Sequence, residues 1–396
     1  MSQTLSSSKA ETSAVCLPVP PPLSLYIHIP WCVRKCPYCD FNSHPLRTPL
    51  PEQDYLEALT RDLQAALSCV RGRRVHTVFI GGGTPSLLSA AAVDRLLSTV
   101  HTLLPLDPQA EITLEANPGT FEVEKFRAFR DAGINRLSLG VQSFNDRHLS
   151  ALGRIHDGRE ARAALDCALT LFPRVNVDLM YGLPGQSVAE AVADLETALA
   201  TGLSHVSTYH LTIEPHTLFY ARPPKQPDED STASIEEEID ARLAAAGFFR
   251  YETSAAARPG HACQHNLNYW LFGDYLGIGA GAHGKLSTQQ GITREIRFKQ
   301  PRAYMEAAYR GDAVQAREPV APRALPFEFM MNALRLREGF EPALFAERTG
   351  LSLTVVEPIL RQAQARGLLQ WDAHRIRATP LGQRFLNDLL TLFLPE

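Results

Sequence analysis

The sequence has no run of apolar residues reaching the roughly 18 needed to cross a bilayer as a helix, so no helical membrane span is expected. It lacks charge of one sign: 39 Lys and Arg against 43 Asp and Glu leave a net −4. No global field therefore draws the chain towards nucleic acid or anionic lipid. Residues 1–22 lack the 7–15-residue apolar stretch of a secretory signal. They are rich in Ser, Ala and Pro and read as a flexible lead-in to a cytoplasmic protein. Cysteine is scarce and odd in number, seven in 396 residues, which disfavours a disulfide framework. Yet Cys32, Cys36 and Cys39 fall within eight residues, and such clustering points to a metal site. Cys69 and Cys167 lie among apolar and Ala-rich helical residues and read as buried small hydrophobes. Apolar residues at 45% and charged residues at 21% fit a globular chain with a large core and more than one domain.

Six short runs read as buried strands: 23–29, 75–80, 111–116, 136–141, 174–180 and 205–213. Between them lie stretches with helical spacing. Tyr55, Leu56, Leu59, Leu63, Ala66 and Leu67 form one apolar face, and Val93, Leu96, Leu97 and Val100 another. Residues 121–132, 159–171 and 188–200 continue the alternation. Strand then helix, repeated, implies parallel strands under covering helices. The expected fold is α/β, a partial (β/α)6 TIM-like barrel spanning 23–215, whose chemistry gathers at the C-terminal strand ends.

Beyond residue 215 the pattern changes. Residues 216–320 read as a connecting region: a Pro- and Asp-rich exposed stretch at 223–234, a helix at 234–246, then an aromatic and Gly-rich segment at 266–285. Residues 321–396 read as a smaller, mainly helical C-terminal domain, with helices at 342–349 and 353–367 and a hairpin at 368–378 resembling a winged helix. The second helix carries only Arg361 and Arg366 as basic groups. A packing module is expected there, not a nucleic-acid reader.

The first strand runs into Ile29-Pro30-Trp31-Cys32-Val33-Arg34-Lys35-Cys36-Pro37-Tyr38-Cys39. C-x3-C-x2-C puts three thiolates on one tight loop. Thiolates hold iron–sulfur clusters, normally four of them for four irons. Three would leave one iron with an open position, as catalytic metal sites do. On spacing alone two alternatives stand: zinc held by the cysteines with His28 or His44, and a metal-free thiol loop.

This loop, with Tyr38 before its third cysteine, resembles the signature of the radical S-adenosylmethionine superfamily. The resemblance implies a [4Fe–4S] cluster on Cys32, Cys36 and Cys39, with the amino and carboxylate groups of S-adenosylmethionine on the open iron. Other strand ends carry polar groups fit for such a ligand. Gly81-Gly82-Gly83-Thr84-Pro85 bares backbone groups for close approach. Glu115 and Asp178 are acids within apolar runs and need partners. Arg154 offers a planar fork suited to a carboxylate, and Asp178 is expected to bond ribose hydroxyls or Arg154.

Tyr26-Ile27-His28-Ile29-Pro30-Trp31-Cys32, Gly140-Val141-Gln142-Ser143-Phe144-Asn145 and Asp178-Leu179-Met180-Tyr181-Gly182-Leu183-Pro184-Gly185-Gln186 resemble the oxygen-independent coproporphyrinogen III oxidase group over residues 23–390. That resemblance places Tyr26, Gly82, Gly83, Thr84, Glu115, Gln142, Arg154 and Asp178 on cofactor-binding positions, with Thr212 and His283 near further ones. Two features turn it towards the haem-chaperone branch of the group, the HemW family. The oxidases have a fourth Cys two residues after the third, where this chain has Phe41. His265-Asn266-Leu267-Asn268-Tyr269-Trp270 resembles the H-N-x-x-Y-W motif of the chaperones, whose His is implicated in haem binding. Imidazole is a standard haem ligand, and Tyr269 and Trp270 offer flat surfaces to a porphyrin. His261 and Cys263 lie close by as alternative ligands. The resemblance thus implies haem as cargo, an apo-haemoprotein acceptor at the membrane face, peripheral membrane association and a homo-oligomer. No catalytic residue is assigned. The oxidase alternative would cleave S-adenosylmethionine to a radical and decarboxylate two propionates; a radical enzyme for another substrate is the third reading.

Overall fold

The computed structural model describes residues 17, 19–120 and 122–395. The flexible lead-in expected at the N-terminus falls mostly on residues outside this set.

Six parallel strands form the centre: β1 (Leu23–Ile29), β2 (Val75–Gly82), β3 (Leu106–Ala116), β4 (Arg136–Gln142), β5 (Arg174–Tyr181) and β6 (His205–His210). They neighbour one another in chain order. Alternation explains their two faces, since successive side chains of a strand point to opposite sides. Leu25 and Ile27, Val78 and Ile80, Leu137 and Leu139, and Val177 are fully buried in the apolar core. Burial of each such side chain contributes about 1.5–3 kcal/mol. The intervening residues are polar or aromatic: Tyr26 and His28, Phe79, Thr113 and Glu115, Ser138, Asn176 and Asp178, Ser207. These line internal cavities. The barrel is thus dry outside, under its helices, and polar within.

The covering helices are Glu52–Val70, Ala90–Leu103, Val123–Asp131, Gly158–Leu171 and Val188–Leu199. Local chemistry fixes where they begin. Asp157 with Glu160, and Ser187 with Glu190, form reciprocal capping boxes. The next helix, Glu229–Ala245, starts five residues before the expected boundary. Asp228 accepts a hydrogen bond from Ser231 N and so caps a turn read as exposed connection.

Residues 216–320 add strands to both edges of the sheet. On one side lie β7 (Phe249–Arg250) and β8 (Ala255–Ala257), β8 antiparallel to β6. On the other, β9 (Asp274–Ile278) runs parallel to β1. Then β10 (His283–Thr288), β11 (Gly291–Arg297) and β12 (Val314–Pro319) follow antiparallel, giving the order β12-β11-β10-β9-β1-β2-β3-β4-β5-β6-β8-β7. The sequence reading missed these strands because they are very short, as in β7 and the alanine run of β8, or interrupted by glycine and charged residues. Their stability comes from buried ion pairs as well as apolar contact. Asp274 accepts from Lys285 at 3.0 Å and Arg73 at 2.8 Å, and Arg297 bridges Asp62 and Glu295.

The C-terminal unit has its own apolar cluster around Phe329, Phe340 and Phe345. Helix Pro342–Thr349 and the hairpin Leu369–Trp371 with Ile376–Ala378 lie where the sequence places them, while the second helix, Glu357–Ala365, starts four residues later than expected, after a short 3-10 turn at Leu353–Val355. Phe272 and Ile292 of the preceding segment join this cluster. Among the described residues, no helix is long and apolar enough to cross a membrane.

Candidate functional site

The C-terminal ends of β1–β6 open into a cavity of about 470 Å³. Cys32, Cys36 and Cys39 line it together with Tyr38, Gly82, Gly83, Thr84, Glu115, Gln142, Arg154, Asp178 and Thr212. The side chains that the sequence reading spread over six strand ends therefore share one space.

The cysteine loop is tied down by backbone bonds. Thr84 N donates to Trp31 O at 2.8 Å, Leu46 N to Cys32 O at 2.9 Å, and Phe219 N to Pro37 O at 2.9 Å. Cys39 N donates to Cys36 O at 3.2 Å, closing a turn between the last two cysteines. Lys35 Nζ donates to the carbonyls of Phe41 and Ser43 at 3.1 and 3.2 Å and stiffens the exit of the loop. All three thiols are half-buried, and burial raises the pKa of Cys32. The zinc alternative loses its nearer histidine. The ring nitrogens of His28 are bonded to Tyr26 OH at 2.9 Å and Asn42 O at 3.0 Å. Among the described residues, no three His, Cys, Asp or Glu side chains converge as ligands of a single ion.

Two glycines are required by close approach. A Cβ on Gly83 would lie 2.5 Å from Trp31 O. Gly82 has φ +118, and a Cβ there would strike the His28 ring at 2.6 Å. Gly82 N is thereby free to donate to Glu115 Oε2 at 3.0 Å. That is the hydrogen bond which steadies a part-buried carboxyl on the wall of the cavity. Burial, with Asp178 nearby, pushes the Glu115 pKa up to about 8. Burial likewise pushes Asp178 up to about 6, against hydrogen bonds from Asn176 Nδ2 at 2.8 Å and Ser138 Oγ at 3.3 Å.

The expected Arg154–Asp178 pairing is corrected by these contacts. Arg154 Nη2 donates to Gly140 O at 2.6 Å, and Nη1 to Tyr38 OH at 3.4 Å and Cys36 Sγ at 3.6 Å. Its Nε is buried with no partner. Gln142 holds a positive φ of 72 beside this arginine, a conformation rare outside glycine. The donor set fits a cluster and a charged nucleotide. Three thiols gather at the mouth, an arginine keeps an unspent donor, and two internal carboxyls are short of positive partners.

Sequence reasoning missed much of the wall. Thr113, Arg136, Ser138, Asn176, His205 and Ser207 also line the cavity. The signal was present: in Arg136-Leu137-Ser138-Leu139 or Val175-Asn176-Val177-Asp178, polar residues recur at every second position of a buried strand.

Tyr26 and His283 line an adjoining chamber of about 370 Å³, which shares Phe41, Gly82 and Glu115 with the main cavity. Tyr269 and Tyr275 form its aromatic wall, edge to face with centroids 4.5 Å apart. Helix Gln264–Trp270 docks inside the barrel with its first N–H groups on a carboxylate. Glu111 Oε1 accepts from Gln264 N at 2.9 Å and His265 N at 3.2 Å. The expectation of an open ring nitrogen on His265 is not met in this conformation. The side chain is 1% exposed, and its Nδ1 and Nε2 are bonded to Thr77 Oγ1 at 2.7 Å and Tyr269 OH at 3.1 Å. Burial pushes its pKa down to about 3, so the ring is neutral. Trp270 lies under the Arg335 guanidinium at 4.5 Å, away from both cavities' walls. His261 lines neither cavity, and Cys263 Sγ donates to Glu111 at 3.4 Å.

Residues 26–198 match the radical SAM superfamily model, and residues 320–385 match the HemN C-terminal domain. A heme chaperone HemW of Escherichia coli (strain K12) is 50% identical over 95% of this chain and 99% of its own. A heme chaperone HemW of Bacillus subtilis (strain 168) is 33% identical over 94% and 99%. A mitochondrial radical S-adenosyl methionine domain-containing protein 1 of Bos taurus is 37% identical over 94% and 87%. Among solved structures, coproporphyrinogen III oxidase (HemN) from Escherichia coli superposes with a TM-score of 0.80 at 24% identity, covering 94% of this chain and 90% of that one. At that identity the likeness speaks for the fold.

Proposed function

The chain belongs to the HemW family of the radical SAM superfamily, and from that premise we propose that it is a haem chaperone, binding haem and passing it to apo-haemoproteins. The observation that carries this reading is the reach of the match. Relatives called heme chaperones align along 93–96% of this chain, so barrel, connecting segment and C-terminal unit correspond together.

Within that function the residues divide their work. Cys32, Cys36 and Cys39 would hold a [4Fe–4S] cluster, leaving one iron without a protein sulfur. Gly82, Gly83 and Thr84 would cradle the methionine end of S-adenosylmethionine, and Glu115 would take its amino group. Arg154 would turn its free Nε to the carboxylate, while Asp178 and Gln142 would hold the nucleoside. With cluster and nucleotide in place the site commands one-electron chemistry, and the buried walls keep water from it. A cationic group beside Glu115 would favour the carboxylate and lower its raised pKa. Tyr269, set against the adjoining chamber, would face the haem. Delivery to a membrane-bound haem enzyme would call for peripheral contact with the bilayer or its proteins, which the chain's near-neutral charge leaves to local recognition.

The test uses anaerobically reconstituted protein in two assays. Haem-loaded protein should pass haem to an apo-haemoprotein, followed by the shift in Soret absorbance. Coproporphyrinogen III with S-adenosylmethionine and a reductant should yield no protoporphyrinogen. Robust decarboxylation without haem transfer would replace the chaperone reading with the oxidase one.

A further inference from the structure

We propose that haem is ligated by His283 in the aromatic chamber beside the cofactor cavity, and that His265 acts behind it as a positioning residue. This rests on the haem-chaperone reading and names the ligand within it.

Three observations carry the assignment. First, His265 is sealed: buried, bonded at both ring nitrogens, and stacked on Phe79 with centroids 5.0 Å apart. Iron could reach it only if helix Gln264–Trp270 left the barrel and Glu111 surrendered its two backbone donors. Second, His283 is an exposed residue on the lining of the chamber, and no described residue hydrogen-bonds its ring. A neutral imidazole with a free lone pair at a cavity edge is what an axial ligand requires. Third, the chamber suits a tetrapyrrole. Tyr26, Tyr269 and Tyr275 give it flat walls, and Phe41, 60% exposed, stands on its lining. At about 370 Å³ it is smaller than a whole haem, so it would take the iron-bearing part of one porphyrin face and leave the propionate edge outside. Lys299 places positive charge near His283, where propionates would emerge, while Arg294 is taken up by Glu328 and Tyr275.

The motif helix then has a defined task. His265 Nε2 is bonded to Tyr269 OH, and Tyr269 meets Tyr275 edge to face, so the buried histidine sets the angle of the haem-facing wall. The wall shares Gly82 and Glu115 with the cofactor cavity, so both sites read the same turn.

The experiment titrates hemin into the full-length, cluster-reconstituted chain, wild type and variants, and reads Soret absorbance and haem EPR. His283→Ala should keep its iron–sulfur absorbance and lose the histidine-ligated signature. Its affinity should fall by at least the roughly tenfold that even an outer partner costs a metal site, and imidazole should restore the spectrum. His265→Ala should bind haem less tightly and retain the histidine-ligated spectrum. Unchanged spectra in His283→Ala, with the signature lost in His265→Ala, would overturn the assignment. Displacement of haem by a second equivalent of S-adenosylmethionine would likewise give the chamber to the nucleotide. A wild type that takes up no haem would end both readings; haem bound equally by wild type and His283→Ala would end this one alone.

Discussion

Arg154 points Nη1 at the sulfur of Cys36 across 3.6 Å, although 118 residues separate them in the chain. One guanidinium thereby joins the loop after β1 to the carbonyl of Gly140 in β4, which Nη2 reaches at 2.6 Å. The cluster ligand and the residue proposed for the nucleotide carboxylate are one mechanical unit, with Tyr38 as its third member at 3.4 Å.

Arg154→Lys should therefore leave the cluster in place and weaken S-adenosylmethionine. A lysine can present one ammonium, not a fork that spans Gly140, Cys36 and a ligand carboxylate. Loss of one charged hydrogen bond costs about 1.5–3 kcal/mol, roughly 10- to 100-fold in affinity. Calorimetric titration on protein matched for iron content measures it. Unchanged affinity would remove Arg154 from the nucleotide site.

Glu115 makes stability without ligand depend on pH. Its folded pKa of about 8 lies above the ordinary carboxylate range. The stabilisation associated with its protonated form is full below about pH 4.5 and is lost as pH rises towards 8. Glu115→Gln should flatten this decline and raise the Tm of the cluster-free chain at pH 8 by about 1 °C, roughly 1 kcal/mol at the unfolding entropy of a chain of this length. The same variant should bind S-adenosylmethionine less tightly. Calorimetric melts at pH 5.5 and pH 8 give the comparison; equal slopes for wild type and variant would contradict the burial argument.

Gly83→Ala should displace the cysteine loop. The new Cβ would meet Trp31 O at 2.5 Å, and the residue after Trp31 is Cys32. Backbone cannot yield as a side chain would, so reconstitution should give reduced iron content with the far-UV spectrum unchanged. Full iron incorporation would show that the turn has slack.

His265→Ala should destabilise the fold by about 2–4 kcal/mol, because it removes one buried and one part-buried hydrogen bond and a stacked ring from the barrel interior. Thr77→Val, which removes only one of those bonds, should cost less. Denaturant midpoints rank the two; a neutral His265→Ala would mean that the helix is already loose.

The six core strands and most of their helices were legible because Val, Ile and Leu at fixed spacing report burial directly. So was the site at its strongest: Cys32, Cys36 and Cys39 share one loop, and local spacing needs no tertiary knowledge. What the sequence did not disclose depends on contacts between distant segments. The strand Asp274–Ile278 contains an aspartate and a glycine, and it is held in place by β1 and by Lys285 and Arg73. Arg154 looked like a partner for Asp178, because no local rule foretells that Gly140 O and Tyr38 reach it first. His265 beside two aromatics looked like an open ligand, and only the packed barrel reveals Thr77 and Tyr269 on its two nitrogens.

Cys36→Ala should abolish the broad iron–sulfur absorbance of reconstituted protein and leave thermal stability close to that of the cluster-free wild type, because this thiol is half-exposed on a loop and belongs to no apolar cluster. Iron analysis with a melting curve on the same sample tests both halves.

The most direct measurement is Mössbauer spectroscopy of iron-57-reconstituted, anaerobic protein with and without S-adenosylmethionine. Three cysteine ligands for four irons predict one subsite whose isomer shift changes on adding the nucleotide while the other three hold still. Four irons that respond alike, or a spectrum without a four-iron centre, would contradict the account.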